Sequence, residues 1–298
     1  MPTLVPADRA RLAEVHRKRA NLIVMIAAIL SVVVPFLFWH GTWFGRPLSD
    51  REIGQYLADQ KNPRHIQHAL VQIGERIERG DVGVRRWYPN VVSLARNPVP
   101  EIRVTLAWLM GTDNHSDEFR RTLLGMLEDR EPLVRRNAAL SLVRFGDASG
   151  RLELLDMLRP YSVRSPTDGI VHYVLKEGDT VDTGGVLARL ETGDREPLEI
   201  RSPLPGRLET QVAREGKRVS RGEEILVLSP GEEHVWEALR ALYLVGEPGD
   251  LPDVERFAAG SVPGMKAKIQ QQAVLTAAAI HSRASIIGQG TGKLPAPN

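Results

Sequence analysis

Pro100-Glu-Ile-Arg-Val-Thr-Leu-Ala-Trp-Leu-Met-Gly111 and Pro132-Leu-Val-Arg-Arg-Asn-Ala-Ala-Leu-Ser-Leu-Val143 are two copies of one pattern. Aligned, Ile102-Arg103 falls on Val134-Arg135, Leu106-Ala107 on Ala138-Ala139 and Met110 on Leu142, at a constant offset of 32 residues. An acid follows each copy, Asp113 and Asp147. Between the copies Phe119, Leu123, Leu124 and Leu127 make a second amphipathic helix, closed by Glu128-Asp129. Self-similarity at this period marks stacked helix pairs, each burying its apolar face only against its neighbours. A weaker copy without the arginine lies at Ile66 to Gly74, since terminal repeats are often atypical.

The pattern resembles HEAT-like repeats, whose inner helix begins x-Val-Arg-x-x-Ala-Ala-x-x-Leu. Small residues such as Ala138 and Ala139 allow close helix approach. An ordinary helical domain with two chance matches is the alternative. The resemblance implies an α-solenoid of HEAT-like helix pairs over residues 49–160, an extended surface for protein partners, with Arg103 and Arg135 among the candidate contacts.

After Pro160 the period switches to two, and this stretch is doubled as well. Val163-Arg-Ser-Pro-Thr-Asp-Gly169, Lys176-Glu-Gly178, Val181, Gly184 and Val186 to Leu190 form the first half. Ile200-Arg-Ser-Pro-Leu-Pro-Gly206, Arg214-Glu-Gly216, Val219, Gly222 and Ile225 to Leu228 form the second, at an offset of 37 and then 38 residues. Glycines supply the positive φ that turns between short strands need. The motifs resemble the lipoyl/biotinyl, or barrel-sandwich hybrid, domain, which implies an all-β barrel over 161–230. In carrier members of that family a lysine between the halves is biotinylated or lipoylated. Here the hairpin Glu191 to Glu199 has no lysine, and Arg195 stands at about the acceptor position. A guanidinium is not a nucleophilic amine, so no cofactor is expected. Lys176 and Lys217 lie in other loops. The barrel also resembles that of periplasmic adaptor (membrane fusion) proteins, although the long helical hairpin of those proteins is missing.

The strands interrupt the helices. Arg151 to Leu158 reads as the outer helix of a third pair, and helical periodicity resumes over 231–283: Val235 to Val245, Leu251 to Ala259 and Lys266 to Arg283. Insertion at an exposed turn accounts for this order. Residues 284–298 are expected to be a disordered tail.

At the other end, Leu22 to Trp39 runs eighteen residues without a charge, which is long enough for a bilayer core. Arg9, Arg11, Arg17, Lys18 and Arg19 precede it, and the end of the run lacks the small residues of a signal-peptide cleavage site. The expectation is a basic cytoplasmic segment at 1–20, an uncleaved transmembrane anchor at 21–43 and the remainder outside the cytoplasm. The expected fold class is therefore multidomain: an N-terminal transmembrane helix, a HEAT-like α-solenoid and an inserted lipoyl-like barrel.

Composition narrows the chemistry. The 298 residues contain no cysteine, which excludes disulfides, thiolate metal sites and cysteine nucleophiles. With 39 basic and 37 acidic residues the net charge is +2, which argues against a nucleic-acid partner. Neither His65 with His68 nor the Asp113–Glu118 segment offers a full metal-ligand set, and no nucleotide-binding or hydrolase motif appears. No catalytic, cofactor or metal site is expected. Arg85, Arg86, Trp87 and Tyr88 form a basic–aromatic cluster suited to a protein partner, or to covering a helix end. The leading expectation is a non-enzymatic scaffold at the outer face of the inner membrane, binding a membrane complex through the repeats and an unmodified barrel. An atypical adaptor subunit of an export or efflux system and a biotin or lipoyl carrier are the alternatives.

Overall fold

A computed structural model describes residues 46–193 and 196–290. The chain divides into two compact units, one ending at Tyr56 and the other beginning at Leu57. Helix α1 (Asp50–Ala58) begins in the first and opens on a capping box. The Glu52 carboxylate accepts from the Ser49 amide at 2.8 Å and hydroxyl at 2.7 Å, and the Glu52 amide returns a bond to Ser49 Oγ at 3.4 Å.

In the second unit the helices are α2 (Pro63–Glu78), α3 (Tyr88–Ser93), α4 (Pro100–Met110), α5 (Asp117–Met126), α6 (Pro132–Arg144), α7 (Arg151–Asp156), α8 (Glu232–Val245), α9 (Leu251–Ala258) and α10 (Ala267–Gly290). Proline opens α2, α4 and α6, where the first turn has no use for its missing amide hydrogen. Ser116 caps α5 by accepting from the Phe119 amide at 3.3 Å. Helices α2, α4, α6, α8 and α10 pack in succession, each against the next, and α5, α7 and α9 pack beside them. The small pairs expected to permit close approach are at the contacts: Ala107, Ala138, Ala139 and Ala238 are wholly buried. Hydroxyls stitch neighbouring helices. Ser141 donates to the Ala107 carbonyl at 2.8 Å, and Thr276 repeats the contact on the Leu239 carbonyl at 2.8 Å.

Eight strands stand between α7 and α8: β1 (Tyr161–Arg164), β2 (Gly169–Tyr173), β3 (Thr180–Val181), β4 (Val186–Glu191), β5 (Leu198–Arg201), β6 (Gly206–Gln211), β7 (Arg218–Val219) and β8 (Glu224–Pro230). They form two antiparallel sheets, ordered β1-β8-β6-β3 and β5-β4-β2-β7. Moving four strands along the chain turns one order into the other, so the doubled sequence has become a two-fold exchange of sheets. Inner residues of both sheets, including Val171, Leu187, Leu208 and Ile225, share one core, separate from the cluster that unites α6 to α10. Close backbone crossings demand glycine at equivalent places. A Cβ on Gly169 would lie 2.7 Å from the Glu191 carbonyl oxygen, and one on Gly206 would lie 2.4 Å from that of Ser229.

Three expectations are corrected. The strands do not close into a barrel. They make two four-stranded sheets, because the two-residue strands β3 and β7 end their sheets without passing the ladder on. The expected fold class also included a transmembrane helix, and the expected placement was single-pass in the inner membrane with the bulk of the chain periplasmic. Among the described residues no helix is long and apolar enough to cross a membrane, and residues 22–39 lie outside them. Finally, α10 continues past Arg283 to Gly290, so the segment read as a tail from 284 is helical in its first part.

Candidate protein-binding surfaces

The repeat arginines are turned inward. Arg103, 5% exposed, grips both carboxylate oxygens of Asp129, with Nε at 2.7 Å and Nη2 at 2.9 Å, and Nη1 donates to the Asn97 carbonyl at 2.7 Å. Arg135, one repeat on, makes the same two kinds of contact. Nη1 donates to the Asp129 carbonyl at 2.8 Å and Nε to Glu153 at 3.0 Å. Each arginine thus binds the carbonyl six residues before it and an acid from a later segment, tying one helix pair to the next. Burial would raise the Asp129 carboxyl, but Arg103 and the Glu131 amide outweigh it and hold that pKa below the ordinary aspartate value.

A second row of contacts begins at Tyr88. Its hydroxyl donates to Asp113 at 2.8 Å, and burial followed by that acid raises its pKa. At the equivalent place in the next repeat Arg120 Nε donates to Asp147 at 2.7 Å, and Arg151 in the third donates to Asp250. The acids that close each copy in the sequence are therefore acceptors from the preceding outer segment. The spacing of Tyr88, Arg120 and Arg151, 32 and then 31 residues, is legible in the sequence once the row is known.

In the basic–aromatic cluster, Trp87 and Tyr88 are 7% exposed each. The Trp87 ring lies under two guanidiniums, Arg86 at 4.2 Å and Arg76 at 5.5 Å, and the Tyr88 ring meets Phe119 with centroids 4.2 Å apart. Arg85 and Arg86 are the exposed members. Of the sequence candidates, Arg103 and Arg135 share the Asp129 loop, Arg85 to Tyr88 lie together beside α5, and Arg195 falls outside the described residues. Among the described residues no three His, Asp or Glu side chains are placed to hold a metal, and His65 is paired with Asp59 at 2.8 Å.

Two features escaped the sequence reading. Arg136, beside the repeat arginine and 3% exposed, donates Nη1 to His234 Nδ1 at 3.1 Å, while its Nε has no hydrogen-bond partner. Nothing in the repeat pattern distinguishes it from its neighbour. Trp108 on α4, Leu140 on α6 and Arg240 on α8 take equivalent positions on successive packed helices; Trp108 is 36% exposed and Arg240 is exposed, whereas Leu140 packs in part against the core that unites α6 to α10. They are readable only after the register across the strands is fixed.

The HEAT repeats family matches residues 88–167, an interval that opens at the Tyr88 contact row. No curated protein matches the chain in sequence. Among solved structures, one described as "Structure and function of a single-chain, multi-domain long-chain acyl-coa carboxylase" is similar at 19% identity with a TM-score of 0.23, over 43% of this chain and 14% of that one. Residues 88–167 are thus similar to HEAT repeats and form a helical-repeat part, an architecture suited to protein interaction.

Proposed function

We propose that this protein is a non-enzymatic scaffold whose helical array and strand insert present separate surfaces to protein partners. The observation that carries the reading is the pair of contact rows. The repeat arginines and acids bind one another rather than converging on a cavity, which stiffens the stack and leaves Trp108 on α4 and Arg240 on α8 exposed. A rigid array with uncommitted equivalent positions suits recognition of an extended partner better than it suits catalysis.

The insert belongs to the same reading. Its two-fold exchange of sheets and doubled motifs support a carrier-type module of the lipoyl/biotinyl kind, without a carrier's chemistry. Attachment of a cofactor carboxyl through an amide needs a primary amine, and the segment between β4 and β5 has no lysine.

The test is affinity capture from the source cells by the full chain and by a Trp108→Ala/Arg240→Glu variant, with quantitative mass spectrometry of the bound proteins. A defined set retained by the former and depleted about tenfold with the latter is expected. Identical capture by both would remove the array surface from the reading. Intact mass of the purified chain should equal the sequence mass, and a biotinyl or lipoyl increment would restore the carrier alternative.

A further inference from the structure

Helix α10 is the last of the packed succession among the described residues, and the earlier helices show what its outward face lacks. Ser141 of α6 reaches back to the Ala107 carbonyl of α4, and Thr276 of α10 reaches back to the Leu239 carbonyl of α8. The two helices are therefore equivalent at an offset of 135 residues, which places Arg135 on Gln270, Ala139 on Val274 and Val143 on Ala278. On α6 the last two positions are covered. Ala139 is wholly buried and Val143 is 8% exposed, both in the core that unites α6 to α10. On α10 the same positions are open: Val274 is 51% exposed and Ala278 is exposed as well. Leu275 beside them is 56% exposed. Gln271, Val274, Ala278 and Ser282, all exposed, are three or four residues apart and share one stripe of the helix.

Gln270 and the charges of α10 decide which occupant fits. Arg135 donates backward, to the Asp129 carbonyl, and forward, to Glu153 of α7. Gln270 keeps the backward kind of bond alone, from Nε2 to the Ala258 carbonyl at 3.0 Å. Without a guanidinium it cannot tie down the acid that a further helix pair of this array would bring. The charged groups of α10 are turned onto their own chain. Lys268 is bound to Glu232 at 3.2 Å, His281 lies 3.6 Å from Glu255, and Arg283 donates to the Tyr243 carbonyl at 2.6 Å and the Gly246 carbonyl at 2.8 Å. The helix has no acidic residue. Its outward stripe is thus apolar and small in the middle and polar without charge toward both ends. A charged partner finds no complement there. A second copy of the same stripe does: reversed end to end, Val274 and Leu275 meet Ala278, and Gln271 meets Ser282.

We propose that two copies of this chain associate through α10, with the two helices antiparallel and related by a two-fold axis between Val274 and Ala278. Ala278 permits the close approach that the buried alanines give within the array, and reversal sets the helix dipoles favourably. A single helix pair buries less than a standard interface, so a roughly micromolar dissociation constant is expected. The association goes beyond the scaffold reading and does not depend on it, because it uses neither Trp108 nor Arg240.

Sedimentation velocity of the full chain over a dilution series should show one-chain and two-chain species in exchange. Val274→Glu/Ala278→Glu should raise the dissociation constant at least about tenfold while the melting temperature is kept. Leu152→Glu, at a residue 69% exposed on α7, should leave it unchanged. The chain has no cysteine, so introduced single cysteines report the geometry. In the antiparallel pair Gln271 of one copy neighbours Ser282 of the other, whereas each lies about 16 Å along the helix from its own equivalent. Mixed Gln271→Cys and Ser282→Cys chains should therefore form a disulfide-linked pair on mild oxidation, and neither variant should do so alone. A one-chain mass at every concentration would overturn the proposal. So would a dimer unaffected by the double glutamate variant, or a disulfide that forms as readily with Gln271→Cys alone as in the mixture. Co-purification of a different protein on a monomeric chain, lost in the double glutamate variant, would make that protein the occupant and overturn it as well.

Discussion

Arg151 donates a hydrogen bond to Asp250, although 99 residues separate them in the chain. Arg151 opens the last helix before the strands, and Asp250 lies in the turn after the first helix beyond them. A second bridge, Arg159 Nη2 to Asp253 at 2.7 Å, lies close by. The contact occupies the place that Arg120 and Asp147 hold one repeat earlier, so the array continues across the insert as though the strands were absent.

Asp250 is wholly buried, and Arg151 and Glu247 contribute its cationic partner and a backbone donor. Arg151→Met leaves a buried carboxylate without its cation, so chemical denaturation should show a loss on the order of 3 kcal/mol. Replacing both partners, Arg151→Met/Asp250→Leu, should recover much of that loss. A single substitution costing under about 0.5 kcal/mol would mean that the bridge contributes no more than a surface ion pair.

Removal of Tyr161 to Pro230, with a short Gly-Ser link, should leave a helical domain that melts in one cooperative transition. The strand core and the core uniting α6 to α10 share no buried residue. Circular dichroism and calorimetry of the deletion protein check this. A molten product without a calorimetric peak would show that the strands complete the helical core.

Acid should loosen the joint between the first two repeat copies. Asp129 has a depressed pKa, so the folded state holds its proton less readily than the unfolded chain. That contribution is full above the unfolded aspartate value and is lost as pH falls through the folded one. Arg103→Gln should flatten the corresponding part of the stability–pH curve, whereas Arg85→Gln should leave it unchanged. Parallel curves for wild type and Arg103→Gln would contradict the assignment.

His234 should titrate far below an ordinary histidine. Burial, and then the neighbouring Arg136, lowers its pKa from 6.5 to about 4. Between those values the unfolded chain takes up a proton that the folded one refuses, so stability falls with decreasing pH, by about 3 kcal/mol across the window. Carbon-13 chemical shifts of the imidazole would give the folded pKa directly. Arg136→Met should raise it, and a wild-type midpoint near 6.5 would refute the placement.

Much of this architecture could be read from periodicity. The 32-residue offset identified Arg103 and Arg135 as equivalent, and the doubled Ser-Pro and glycine motifs located the strands. The direction of the arginines could not be read that way. A guanidinium on a helix flank reaches either solvent or the next pair, and only the position of Asp129 on the following turn decided for the interior. The barrel expectation failed for a similar reason. Alternation and turns define strands and their number, but closure depends on whether edge strands are long enough to carry hydrogen bonds on both sides, and β3 and β7 have two residues each.

Sequence alone determined the local units: where helices start, which faces carry small residues, where strands replace them and that the hairpin lacks an amine. These follow from spacing and side-chain chemistry over a few turns. Tertiary structure decided which distant units meet. Arg151 with Asp250 and Arg136 with His234 are residues whose separation follows no repeat period, because the inserted strands displace the partner along the chain without displacing it in space.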